Sequence, residues 1–289
     1  MERILFVGNG FNQVSDGGAS WNALLNKLAG TTKTEHEEEV RKAKPFTLWF
    51  EEIKNTSRRR DLKKFVADSL AKGLSPNEHH SAVMSLDFQH VFTTNYDYNL
   101  ELATGKKWKL NLSAPEKYFS LFRRHSFDDQ HIWHIHGELN NVNSIMLGHE
   151  QYSGYIHKIR NFLTTGVPTE VKDRIGRPYL SKFAKKRALM RGDVETWVDL
   201  FLEQEVHIVG FGFDYTENHL WNLITEKQRL RKQNRKSIGQ AVFHRCSENK
   251  QSPADEARLS ILEALGVKVI DHTKTSYTEA YDKCIESLR

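Results

Sequence analysis

Arg3-Ile4-Leu5-Phe6-Val7-Gly8-Asn9-Gly10-Phe11-Asn12 places a short apolar run directly before a Gly-x-Gly turn. Such a run reads as a buried strand of a parallel sheet, with the glycines turning the chain into a helix. A strand that ends this way lets backbone approach a pyrophosphate closely, at a helix N-terminus that favours anions. The plainer explanation is a tight turn with no ligand. The third glycine of the dehydrogenase fingerprint is missing, since Gln13 stands in its place. Nor does a strand ending in Asp or Glu follow about 20 residues later, where the ribose-binding acid of that fold belongs. A hydride-transferring dehydrogenase is therefore disfavoured.

Further β-rich runs lie at His90 to Thr94, His131 to His136, Ser144 to Leu147, Val206 to Phe211, Gln240 to Arg245 and Val267 to Asp271. Segments of helical spacing separate them, the pattern of an α/β protein with a Rossmann-like, mostly parallel sheet. Ser20 is placed to cap a helix carrying Trp21, Leu24, Leu25 and Leu28. Tyr277 to Leu288 has the stripe of a terminal amphipathic helix. Two charged stretches, about 31–77 and 155–205, exceed a minimal sheet and read as helical insertions. With no repeat or linker, the whole chain, 1–289, is expected to be one domain.

Composition narrows the functional classes. Cys246 and Cys284 are the only cysteines, which removes a disulfide framework and a four-thiolate zinc site. No apolar run approaches the roughly 18 residues needed to span a bilayer. The first apolar stretch is too short for a signal peptide, so the expected location is cytoplasmic. A formal net charge of +5 leaves room for an anionic partner without requiring one.

Three further segments carry polar chemistry at strand ends. His90-Val91-Phe92-Thr93-Thr94-Asn95-Tyr96-Asp97 puts Asn95 and Asp97 where ligands sit in open α/β sheets. Helix capping accounts for one of those two residues and leaves the other. His131-Ile132-Trp133-His134-Ile135-His136-Gly137 places His134 and His136 on one strand face, with His136 at the carboxyl end. His-x-His also suits a metal, but no convincing third and fourth ligands are spaced to join it. A satisfied core histidine describes His134 better than His136. Val206-His207-Ile208-Val209-Gly210-Phe211-Gly212-Phe213-Asp214 repeats the strand-to-glycine pattern, although Asp214 or Thr216 also suits a helix cap.

In order and spacing these segments resemble the sirtuin family, and more closely its bacterial anti-phage defence branch. Gly8-Asn9-Gly10-Phe11 resembles the first nucleotide loop, and Thr94-Asn95-Tyr96-Asp97 the Gln-Asn-Ile-Asp motif. His136-Gly137 resembles the His-Gly motif, and Gly210-Phe211-Gly212-Phe213-Asp214 the later adenosine-side segment. The missing cysteine quartet departs from lysine-deacylating members.

The resemblance implies an NAD hydrolase that depletes NAD during infection, with NAD as substrate and no metal. It assigns catalysis to Asn95 and His136. Gly8, Asn9, Gly10, Phe11 and Thr94 are expected at the dinucleotide, and Asp97 at the nicotinamide carboxamide. Gly210, Gly212, Phe213 and Asp214 are expected at the adenosine ribose, and Asp271 near the adenine. A homo-oligomer, or a partner ATPase or Argonaute-like protein, is implied as well. One rival is a nucleic-acid-binding or nuclease component. It rests on the basic second insertion and on Lys227, Arg229, Arg231, Lys232, Arg235 and Lys236. The other rival is a non-hydrolysing NAD sensor.

Overall fold

The computed structural model describes residues 2–15, 21–30, 35–57, 61–73, 75–111, 119–168, 178–184, 195–233, 238–248 and 252–289. Its organising element is β1 (Arg3–Val7). Ile4 and Phe6 enter the core on one face of the sheet, Leu5 and Val7 the core on the other. Parallel strands covered on both faces need this uniform apolarity.

β2 (His90–Thr93) and then β5 (Gln130–His134) lie on one side of β1. β6 (Glu205–Val209), β7 (Ala241–Arg245) and β8 (Lys268–Asp271) lie on the other, and all six strands are parallel. An antiparallel pair, β3 (Lys109–Asn111) and β4 (Arg124–Phe127), extends the β5 edge. The order is β3-β4-β5-β2-β1-β6-β7-β8. The chain builds away from β1 in one direction and then returns to build in the other. β1 therefore marks a switch point, where strand ends diverge and leave a crevice.

The fold is the expected Rossmann-like α/β sheet, with two corrections. Ser144 to Leu147 is not a strand. Val142–Ser144 is a 3₁₀ turn, and Ile145, Met146 and Leu147 follow it as a buried connection. That run is apolar because it is sandwiched, and it is pinned through Met146 N–H to His136 O at 3.0 Å. Conversely, β3 and β4 were missed because Lys109-Leu-Asn and Arg124-His-Ser-Phe carry too few apolar residues to signal strands. Several ladders also end early: Thr94, Asn95, His136, Gly210 and Phe211 all lie past the last paired residues. The polar chemistry is therefore on loops that continue strands.

Against the Leu5/Val7 face pack α6 (Glu78–Met84) and α12 (Tyr277–Leu288). The opposite face receives α8 (His149–Thr164), α9 (Trp197–Glu203) and α10 (Asn218–Lys232). A third core joins α2 (Trp21–Ala29), α4 (Phe46–Thr56) and α5 (Leu62–Ala71) to Tyr96, Ile145 and Leu147. This helical cap thus rests on the loop that carries Asn95. Ser20, the expected cap of α2, lies outside the described residues.

At the carboxyl end of β1 the two glycine turns interlock. Gly8 N–H donates to Val209 O, and Gly10 N–H to Gly210 O, each at 2.9 Å. A Cβ on Gly8 would lie 2.3 Å from Gly210 O, whereas one on Gly212 would meet nothing within 4 Å. Overpacking of this kind typically costs about 1–3 kcal/mol. Gly8→Ala should therefore lower Tm by roughly 2–10 °C, and Gly212→Ala should leave it almost unchanged. Equal melting of the two variants would show that the turns do not press on each other.

Candidate active site

The register of the sheet brings Asn95 and His136 together. Thr93 pairs with His134 across β2 and β5, and Ile135 N–H continues the ladder to Thr93 O at 2.9 Å. Asn95 and His136 each follow two residues later on neighbouring parallel strands. Asn95 reaches back to the first glycine turn, its Nδ2 donating to Gly8 O at 3.3 Å, while its backbone N–H is held by Thr93 Oγ1 at 3.0 Å.

Asn95 is fixed from behind as well. His134 Nδ1 donates to Asn95 O at 2.8 Å, and His134 Nε2 meets Glu101 Oε1 at 2.8 Å. Glu101 Oε1 also meets His125 Nδ1 at 2.7 Å; His125 Nε2 in turn meets Glu138 Oε2 at 2.8 Å, and Arg123 pairs with Glu138 at 3.1 Å. Burial acts to raise the pKa of Glu101, but His134 and His125 outweigh it and hold the carboxyl at about 2. Burial similarly works against charge on His125, yet its two carboxylates lift it to about 9. The chain therefore buries compensated charges, which tolerate low dielectric far better than single ones.

Asp97 is drawn into a second network. Its Oδ2 accepts from Asn12 Nδ2 at 2.8 Å and its Oδ1 from Asn99 N–H at 3.1 Å. The second bond closes a turn just before α7 (Asn99–Ala103), whose N-cap is Tyr98, so Asp97 shapes the entry to the helix without capping it. Asn12 Nδ2 also donates to Asn9 Oδ1 at 2.9 Å. Asp97 and Asn9 thus tie the β2 loop to the β1 turn, and burial raises the Asp97 pKa.

His136 is 2% exposed. Its Nε2 lies 2.8 Å from His219 Nε2, which requires one ring to donate and the other to accept. Glu217 Oε2 is 3.5 Å from His136 Nε2 and 3.9 Å from His219 Nδ1. Burial depresses His136 to about 3, keeping it neutral, and raises Glu217 to about 8, with Asp214 adding repulsion. Glu217 Oε2 and His219 Nδ1 are buried without a hydrogen-bond partner among the described residues. Orphaned polar atoms of this kind cost about 1–3 kcal/mol each, a strain that persists most readily where chemistry uses it.

A cavity of about 330 Å³ opens over the ends of β1, β6 and β7. Gly10, Gly212, Phe213, Arg245, Arg258 and Tyr281 are among its lining residues. Asn95, Asp97 and His136 do not line it. The glycine turns therefore border this cavity, while Asn95, Asp97 and His136 are buried.

The family model for the SIR2-like domain matches residues 89–270, more than half of the chain. The chain belongs to the SIR2-like family. It is also 22% identical over 232 residues to the NAD(+) hydrolase ThsA of Enterococcus faecium, covering 80% of this chain and 41% of that protein. It therefore spans less than half the length of that relative.

The other residues expected at the site are distributed unevenly. Gly10, Gly210, Gly212 and Phe213 line the cavity, while Thr94 lies half-buried beside Asn95. Phe11 is fully buried against His79, His80 and Tyr281 instead of facing the cavity. Asp214 is exposed and holds Thr216 before α10. Asp271 is paired with Arg245 at 3.0 Å, so it reaches the cavity through that arginine.

Glu217, His219, Tyr152, Arg245 and Arg258 were not anticipated. Glu217 and Lys227 belong to the buried stripe of α10, with Leu220, Leu223, Ile224 and Leu230. Extending helical periodicity one turn towards the N-terminus would have found Glu217. Lys227, offered as part of a basic patch, is buried and donates to Phe201 O, Leu202 O and Gln204 O at 2.7, 3.1 and 2.7 Å. It serves as the C-cap of α9. Arg229 pairs with Glu226, and Lys182 with Glu203. Arg235, Lys236 and much of the basic second insertion lie outside the described residues.

The pH dependence of Glu217 follows from its raised pKa. Between its ordinary value near 4.5 and about 8 the folded state holds a proton that the unfolded chain has released. Its contribution to stability is complete below that window and declines as pH rises through it. Glu217→Gln, neutral throughout, should gain in Tm relative to the parent protein from about pH 5 to about pH 8. A constant difference over that range would mean that Glu217 is already ionised in the fold.

Proposed function

We propose that the protein hydrolyses NAD to nicotinamide and ADP-ribose, and acts as a defence effector by depleting NAD. The observation that carries this reading is the placement of Asn95 and His136 on adjacent strand ends beside the interlocked glycine turns. The similarity to an NAD(+) hydrolase supports it.

In this scheme the C1′–N bond breaks with its electron pair passing to the pyridine nitrogen, leaving an oxocarbenium-like ribose. Asn95 orients water or a ribose hydroxyl, and the water oxygen bonds to C1′. His136, held neutral, accepts the released proton. An ionised Glu217 beside it would stabilise the imidazolium. Gly10, Gly210, Gly212 and Phe213 contact the adenosine and pyrophosphate side. Asp97 takes the nicotinamide carboxamide by exchanging its bond to Asn12. No step draws on a metal.

The burial of Asn95 and His136 accounts for how turnover is restrained. The helical cap rests on Tyr96, Ile145 and Leu147, so exposure of the catalytic pair requires the cap to shift. Assembly with other copies or a partner protein would supply that shift. This would keep the molecule quiescent in the cytoplasm until triggered.

Asn95→Ala should reduce nicotinamide release by ~10² to 10³-fold and His136→Ala by ~10² to 10⁴-fold. The double variant should fall short of the product, because both act on one water or hydroxyl. His134→Ala should lower Tm more than turnover, through loss of its bonds to Asn95 O and Glu101. Folded His136→Ala that turns over NAD normally would refute the assignment. NAD binding without nicotinamide release, alone or with partners, would favour a sensor. Salt-dependent DNA binding with neither would favour the nucleic-acid reading.

A further inference from the structure

A row of imidazoles crosses the sheet beneath the cavity, on the side covered by α12. Glu205 Oε1 lies 2.9 Å from His207 Nε2, and His207 Nδ1 lies 3.0 Å from His244 Nε2. His244 Nδ1 lies 3.0 Å from His272 Nε2, with those two rings stacked at 5.2 Å. The buried thiol of Cys284, on α12, completes a group whose ligand atoms are all within 4.8 Å of one another. Cys246 follows two residues after His244, lines the cavity, directs its thiol to His244 O at 3.9 Å, and packs against the core that holds Cys284. The proposed NAD chemistry uses none of these groups.

We infer that His244 Nδ1, His272 Nε2 and Cys284 Sγ form a binding site for a zinc-like metal ion, with Cys246 Sγ turning from His244 O to become the fourth ligand. Mixed nitrogen–sulfur sets in tetrahedral geometry suit zinc. Two nitrogens bound to one tetrahedral zinc stand about 3.3 Å apart, so the 3.0 Å gap between His244 and His272 needs only a slight widening. Each coordinating thiol gives its proton to solvent. His272 moves its proton to Nδ1, freeing Nε2 for the metal, and His244 keeps its own on Nε2, donated to His207. Glu205 then accepts from His207 Nε2, so a carboxylate orients the ligand through an intervening imidazole.

The two other His/Glu clusters, Glu101–His125–His134 and His136–Glu217–His219, lack sulfur. The former is held by ion pairs of Glu101 with His125 and His134, and the latter belongs to the proposed catalytic side. The missing four-thiolate set, on which a metal was not expected, has no bearing on a mixed set that only the fold assembles. An ion here would fasten β7 and the end of β8 to α12, whose Tyr281 packs against the Gly10 turn.

The test uses the full chain, purified without chelator after growth with added zinc, and then exchanged with cobalt(II). Metal analysis should find stoichiometric zinc. The cobalt form should show the intense visible bands of a tetrahedral site and a near-ultraviolet thiolate-to-cobalt band. Zinc should raise Tm over the metal-free protein by roughly 5–10 °C. Cys246→Ser, at a partly exposed position, should weaken the thiolate band while preserving the fold, and adding Cys284→Ser should abolish it. Failure to bind either metal would overturn the inference. So would cobalt binding without a thiolate band, which places the ion in one of the sulfur-free clusters. No readout depends on NAD turnover.

Discussion

Backbone meets backbone where β1 and β6 end, and the rest of the crevice takes its geometry from that contact. Gly10 N–H is bonded to Gly210 O, and Gly8 approaches Gly210 too closely for any side chain. Asn95 Nδ2 then grips Gly8 O, and the Asn9–Asn12–Asp97 chain fastens the β2 loop to the same turn. Three strand ends are thereby joined by main-chain atoms and short amides, groups with few rotamers to lose. A site assembled this way is rigid before any ligand arrives, the form of preorganisation that costs least at the moment of reaction.

That rigidity is underwritten by unusually polar packing. The Glu101–His125–Glu138–Arg123 chain places opposite charges in contact behind Asn95, and removing one member would strand its partner in low dielectric. The His136–His219–Glu217 group is different. It holds neutral forms and leaves polar atoms without partners. Each network leaves a buried carboxylate oxygen without a hydrogen-bond partner among the described residues, Glu101 Oε2 in the first and Glu217 Oε2 in the second, but only the first is held by opposed charges.

Much of this was legible in the sequence wherever a single strand or turn carried the signal. The central strand, both glycine turns, Asn95 and His136 each sit in short motifs whose physics is local. The antiparallel edge was not legible, because β3 and β4 are polar and His125 is buried for its charge partners instead of its hydrophobicity. Glu217 and His219 were hidden for a related reason: their role arises only when α10 docks beside the end of β5. The run Ser144 to Leu147 misled in the other direction, since apolarity marks burial and not strand pairing. Lys227 shows the same limit, its charge spent on the carbonyls of α9 and not on a surface.

Lys227 has a practical consequence. Its amine is held by three carbonyl oxygens and sealed beneath α9, and burial lowers its pKa to about 7. Its three N–H bonds use all three protons of the ammonium form, and no acylating reagent can reach it in the native state. Modification at this position is therefore a covalent record of how often α10 parts from α9. It is a clock for opening that can be read by mass alone, without ligand or label.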